Sequence, residues 1–121
     1  MGARPKVLIV DDNSDVRRLY AIGLNQRGYE VKLAANGAEA VDRIASERPD
    51  VVLLDWVMPL MDGSEVLTWL REATNADITV IIISGHPQPE ESQRDPRIQS
   101  WLTKPVTIDE LVTALGWSGG H

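Results

Sequence analysis

A chain of 121 residues and 13.4 kDa is the size of one compact domain, and 43% hydrophobic with 25% charged residues is the make-up of an ordinary globular protein. The formal charge of −6 and pI near 4.8 argue against a nucleic-acid surface, which needs a basic patch to neutralise phosphates. The absence of cysteine excludes a disulfide framework and thiolate metal sites.

Lys6–Val10 reads as a strand buried on both faces, because a solid β-branched run shows no alternation. It ends at Asp11-Asp12, too soon for the apolar core of a signal peptide. Ser14 is placed as the cap of a helix over 14–27, with Val16, Leu19, Tyr20 and Gly23 on its inner face and Gly28 as its left-handed stop. Glu30–Ala34, of mixed polarity, fits a strand at a sheet edge. Asn36-Gly37 opens a second helix with the stripe Ala40, Val41 and Ile44, ending before Pro49.

Residues 51–54 form a third, solidly apolar strand that delivers Asp55. After Met58-Pro59 and the Asp62-Gly63 turn, a third helix carries Val66, Leu67 and Leu70 inward. Residues 78–83 are the fourth and most hydrophobic strand, far short of the ~20 residues that span a bilayer. They end at Ser84-Gly85. Between 86 and 97 the prolines Pro87, Pro89 and Pro96 allow only a short helix, with Pro89 near its first turn. Residues 98–102 are the fifth strand, leading to Lys104-Pro105. Thr107 and Glu110 make a capping box for a last helix with the core face Ile108, Leu111, Val112 and Leu115. One domain spans 1–121, with a core over about 5–116 and a polar, Gly-rich tail over 117–121. A soluble, cytoplasmic protein is expected.

Strands alternating with helices imply right-handed crossovers and an open parallel sheet with helices on both faces. Ligands of such sheets sit at the carboxyl ends of the strands. To that edge strand one brings Asp11 and Asp12, strand three Asp55, strand four Ser84 and strand five Lys104. Three adjacent carboxylates repel one another unless a hard divalent cation, Mg²⁺ or Mn²⁺, joins them. An aspartate can also accept a phosphoryl group. Transfer of that group asks mainly for neutralisation of charge on its equatorial oxygens. A metal, the Lys104 ammonium and the Ser84 hydroxyl supply one partner each.

The segments at 7–13 (VLIVDDN), 51–63 (VVLLDWVMPLMDG), 81–85 (IIISG) and 102–105 (LTKP) together resemble the response-regulator receiver family of two-component signalling systems, chemotaxis regulators included. The resemblance covers essentially the whole chain. It implies a flavodoxin-like (βα)5 fold with strand order 2-1-3-4-5. It implies that Asp55 is the phosphoacceptor and that Asp11, Asp12, Asp55 and the backbone carbonyl of Val57 hold the metal. Lys104 then binds the phosphoryl group, the bond to Pro105 is cis, Ser84 moves toward the phosphoryl group, and Trp101 is the aromatic that rotates on activation. The implied donor is a histidine kinase or a histidine phosphotransfer domain, and the output passes to a downstream protein or an attached domain, with no direct nucleic-acid or membrane contact.

The chain departs from the family in places. Trp101 stands where Tyr or Phe is usual, and the stretch from Ser84 to Lys104 is slightly short. A stunted fourth helix is expected to remodel the usual output face and to disfavour dimerisation through it. His86, beside Pro87, is read as solvent-exposed, and Trp56 and Trp69 as packing or partner-facing. Two other readings use similar residues. A phosphohydrolase of the haloacid dehalogenase type carries its nucleophile in an Asp-x-Asp motif after strand one, where this chain has adjacent aspartates. A pseudo-receiver would bind partners without phosphorylation.

Overall fold

The computed structural model describes residues 4–73, 77–90 and 95–116. In chain order these form β1 (Lys6–Val10), α1 (Ser14–Gln26), β2 (Glu30–Ala34), α2 (Gly37–Glu47), β3 (Val51–Asp55), α3 (Gly63–Ala73), β4 (Thr79–Ser84), β5 (Ile98–Thr103) and α4 (Ile108–Leu115). The five strands are parallel throughout, in the order β2-β1-β3-β4-β5. The solidly apolar strands β1, β3 and β4 are central, and the mixed-polarity β2 and β5 are the edges, as burial on two faces or one requires.

Alternation along each strand divides the core in two. Leu8, Val10, Val52, Leu54, Val80 and Ile82 meet Ala40 and Ile44 of α2 and Val66, Leu67 and Leu70 of α3. Val7, Ile9, Leu53, Ile81 and Ile83 meet Tyr20 and Leu24 of α1 and Leu111 of α4. Burial of each such large side chain contributes roughly 1.5–3 kcal/mol, so the two layers supply the main drive to fold.

Two sequence expectations change. The cap of α1 is Asn13, whose side chain accepts from the Asp15 and Val16 N–H groups; Ser14 is already helical. The Asn13 N–H is itself bound to the Asp11 carboxylate at 2.9 Å, which starts the turn one residue earlier. Leu19 is 60% exposed, because the inner face of α1 is centred on Tyr20, Gly23 and Leu24 and one residue is about 100° of helix. Among the described residues there are four helices; the short helix expected within 86–97 falls largely on 91–94, which, like the tail at 117–121, lie outside the described residues.

The return into β5 is held by a buried charge. Asp95 is 8% exposed and its carboxylate takes Arg71 Nε at 2.7 Å, Arg71 Nη2 at 2.5 Å and the Arg97 N–H at 2.9 Å, tying α3 to this connection. The ladder between β4 and β5 shifts register between Val80 and Ile81: Val80 faces Ile98 and Ile81 faces Ser100, so Gln99 is an extra residue. The Gln99 side-chain amide donates to the Ala114 carbonyl of α4 at 2.7 Å.

Helices α1 and α4 touch at Gly23, where an added Cβ would lie 2.6 Å from Ile108 Cδ1 and 2.8 Å from Cγ1. Gly23→Ala gains about 1 kcal/mol of helix propensity but must displace a stiff, β-branched side chain. We expect a net destabilisation of about 1 kcal/mol. In an Ile108→Ala background the same change becomes stabilising. Denaturant melts of the four proteins test this, and the same sign in both backgrounds contradicts the contact.

Candidate functional site

The carboxyl ends of β1, β3, β4 and β5 converge on one edge of the sheet. Asp11 follows β1 and is 3% exposed, and its main chain continues the ladder by donating to the Ala34 carbonyl. Arg17, about one turn into α1, donates from Nη1 to the Asp11 carbonyl at 2.6 Å. The Asp11 carboxylate is therefore fixed by Asn13 and its backbone by Arg17. Asp12 is exposed beside it.

Asp55 ends β3 and is 3% exposed. Lys104 Nζ stands 3.2 Å from its Oδ1, on a side chain that is 40% exposed and so free to follow a moving charge. Carboxylate oxygens of Asp11, Asp12 and Asp55 all lie within 4.8 Å of one another. Burial, helped by the Asp11 charge and opposed by Lys104, pushes Asp55 up to about 6. Burial raises Asp11 too, against the pull of the Asn13 N–H and Lys104. Tyr20, buried under these acids, is raised by burial and then by the charges of Asp11, Asp55 and Glu110.

The loop from β3 to α3 closes on itself by a bond from the Gly63 N–H to the Trp56 carbonyl at 2.9 Å. A Cβ at Gly63 would lie 2.8 Å from the Asp55 carbonyl and 2.9 Å from Trp56 Cα, so a hydrogen is needed there. Val57 turns its side chain to solvent, and Leu60 is 91% exposed with φ at 70°, a left-handed backbone uncommon for leucine. Such a conformer costs on the order of 1 kcal/mol and is held by the closed loop around it.

Ser84 ends β4 and is 1% exposed; its Oγ accepts from the His86 N–H at 3.0 Å. Its carbonyl accepts from the Lys104 N–H at 2.8 Å, which fixes the start of the Lys104 segment against β4. The Lys104–Pro105 bond is cis. Trp101 lies half-buried on β5, with Nε1 donating to the His86 carbonyl at 2.8 Å and its ring 4.9 Å from that of Trp56, tilted by 59°. The His86 side chain is exposed, as read from sequence, whereas its main chain lies between Ser84 and Trp101. That role, the Trp56 contact and the Arg17 brace carry no sequence signal, because each depends on distant segments meeting.

Two buried carboxyls with raised pKa and a third beside them form a cluster of hard oxygen donors, and among the described residues Lys104 is the cation paired with it. Such a cluster fits a small divalent cation that takes oxygen ligands.

A family model for the response regulator receiver domain matches residues 7–116. The response regulator MprA of Mycolicibacterium vanbaalenii is 38% identical over 112 residues, 91% of this chain and 48% of that protein. MprA of Mycobacterium avium is 37% identical over 112 residues, 91% of this chain and 49% of that one. The chain thus spans about half the length of these curated relatives. Among solved structures, the chemotaxis response regulator CheY4 of Vibrio cholerae superposes with a TM-score of 0.84 at 31% identity, covering 94% of this chain and 98% of that one. The signal receiver domain of a LuxO repressor protein from Vibrio parahaemolyticus gives 0.84 at 26%, covering 98% and 92%.

Proposed function

The chain belongs to the response regulator receiver domain family, and from that membership we propose that Asp55 accepts a phosphoryl group from a histidine kinase or a histidine phosphotransfer domain. The observation that carries the assignment to Asp55 is its setting. It is a buried carboxylate with an ammonium at 3.2 Å and the oxygens of Asp11 and Asp12 within 4.8 Å.

The steps follow from the residues. An oxygen of Asp55 attacks phosphorus, and the bond from phosphorus to the donor atom breaks in line, its electron pair leaving with the donor. Lys104, paired with Asp55 Oδ1 at rest, shifts its contact to a phosphoryl oxygen as charge builds there. The Ser84 hydroxyl, whose oxygen already accepts from His86, retains its proton to donate to a second oxygen. Asp11, Asp12, Asp55 and the Val57 carbonyl would hold Mg²⁺ or Mn²⁺, which when bound neutralises the remaining phosphoryl charge. The product adds about −1.5 to −2 charges beside Lys104 and Ser84 and biases the surface of the β4–β5 connection and β5. A downstream protein or an attached domain reads that surface in the cytoplasm.

Incubation with a small acyl phosphate and Mg²⁺, followed by intact mass, tests this. One phosphoryl group is gained, and none when the metal is chelated. No gain with the acyl phosphate or with a phosphorylated histidine donor overturns the proposal, and continuous phosphate release from unrelated esters points to a hydrolase.

A further inference from the structure

Resting on the phosphoacceptor reading above, we propose that Arg17 is a positioning residue for the Asp12 carboxylate, holding it beside Asp11 and Asp55 through the main chain of Asp11. Asp12 is the exposed member of the acidic group, with a carboxylate oxygen within 4.8 Å of oxygens of the other two. Among the described residues no hydrogen-bond donor meets that carboxylate. What directs it comes through the backbone.

The direction of a Cβ is set by the two peptide planes that flank it, because φ and ψ are the soft backbone torsions. The plane before Asp12 carries the Asp11 carbonyl, which accepts from Arg17 Nη1 at 2.6 Å. The plane after it carries the Asn13 N–H, which donates to the Asp11 carboxylate at 2.9 Å. Asp11 is anchored in turn to the sheet, its N–H donating to the Ala34 carbonyl at 3.2 Å. Arg17 also closes the circuit from its own main chain, where its N–H donates to the Asn13 carbonyl at 3.0 Å. Both planes around Asp12 are therefore held, and the half-buried Arg17 side chain holds the first of them.

The guanidinium is a positive charge near a site for a cation, so its charge by itself opposes metal binding. Its bond to the Asp11 carbonyl favours metal binding by keeping Asp12 in place. Loss of the charge and loss of the bond thus have opposite signs. Methionine keeps the apolar stem of Arg17 and removes both. Arg18, the next residue, is exposed and has no hydrogen bond among the described residues, so its removal takes away a charge alone.

Two measurements on the intact chain decide the matter. In Mg²⁺ titrations followed by tryptophan emission, Arg17→Met weakens binding about fivefold, whereas Arg18→Met leaves it within about twofold of wild type. Unchanged or tighter binding in Arg17→Met overturns the proposal. In an Asp12→Ala background Arg17→Met no longer weakens binding, and a loss of equal size in both backgrounds overturns the path through Asp12. In metal-free protein, Arg17→Met raises hydrogen exchange at the Asn13 amide about fivefold and Arg18→Met does not. Equal exchange in wild type and Arg17→Met overturns the brace. Should the wild type bind no Mg²⁺, the metal reading of the acidic group fails by itself, and the Asn13 exchange result still decides whether Arg17 holds this turn.

Discussion

Asp55→Asn abolishes phosphoryl gain and, in metal-free protein near neutral pH, makes the fold more stable. The Asp55 carboxyl is held at about 6 against 3.8 for an ordinary aspartate, so the folded chain keeps its proton more tightly than the unfolded chain does. Between those two values the folded state binds more protons, and stability falls as pH rises. Above about 6 the penalty is complete, on the order of 3 kcal/mol for a shift of about two units. Asparagine removes that penalty at similar size and also removes the partner of Lys104, whose 40% exposure lets water take over most of that role. The expected net gain is about 1–2 kcal/mol near pH 7.5 and close to nothing near pH 4, where aspartate is itself protonated. Added Mg²⁺ stabilises the wild type by mass action and the variant far less. Urea melts at the two pH values, with and without chelator, measure all four quantities. A variant less stable than wild type near pH 7.5 without metal contradicts the electrostatic account.

Gly37→Ala costs about 2–3 kcal/mol, enough to lower the melting temperature of a domain this size by roughly 10–20 °C. A Cβ at Gly37 would sit 2.3 Å from the Met61 carbonyl oxygen and 2.7 Å from Met61 Cβ and Cγ. The backbone oxygen cannot yield easily, because Met61 follows Leu60 with its φ of 70° and precedes Asp62, whose side chain accepts from the Glu65 N–H at 3.1 Å. Up to about 1 kcal/mol of helix propensity gained by alanine falls short of offsetting that clash. The start of α2 therefore braces the loop that follows Asp55. Gly85→Ala meets no atom within 4 Å and should change stability by less than about 0.5 kcal/mol. Melts that rank the two substitutions the other way refute the brace.

Much of this architecture was legible in the sequence because burial leaves a pattern. Strands β1, β3 and β4 are unbroken apolar runs, and a run of that kind has few ways to be satisfied except between two helical layers. The Thr107 and Glu110 capping box is present as read, with both reciprocal bonds formed. Local choices were harder: Asn13 and Ser14 are both good caps, and the bond to Asp11 that selects Asn13 is a tertiary fact. Leu19 has the right spacing for the core yet lies on the shoulder of α1, since helical periodicity locates a stripe more securely than its rim. The convergence of Asp11, Asp12, Asp55, Ser84 and Lys104 on one edge follows from parallel topology, because every strand end points the same way. The bonds of His86, Trp56 and Arg17 were illegible, as each joins segments whose approach is set by the whole fold.

Gln99, the unmatched residue of β5, decides a question of odd and even. Ile98 and Trp101 are three apart, yet both pack on the layer under α2 and α3, while Leu102 packs on the opposite layer. Strict alternation would send Ile98 and Trp101 to opposite sides; one additional residue between them restores agreement. A regular ladder that paired Gln99 with Ile81 would set Trp101 opposite Ile83 and turn the indole to the α1 side, away from Trp56 and the His86 carbonyl. A single uncounted position at the sheet margin thus chooses which of the two core layers the indole joins.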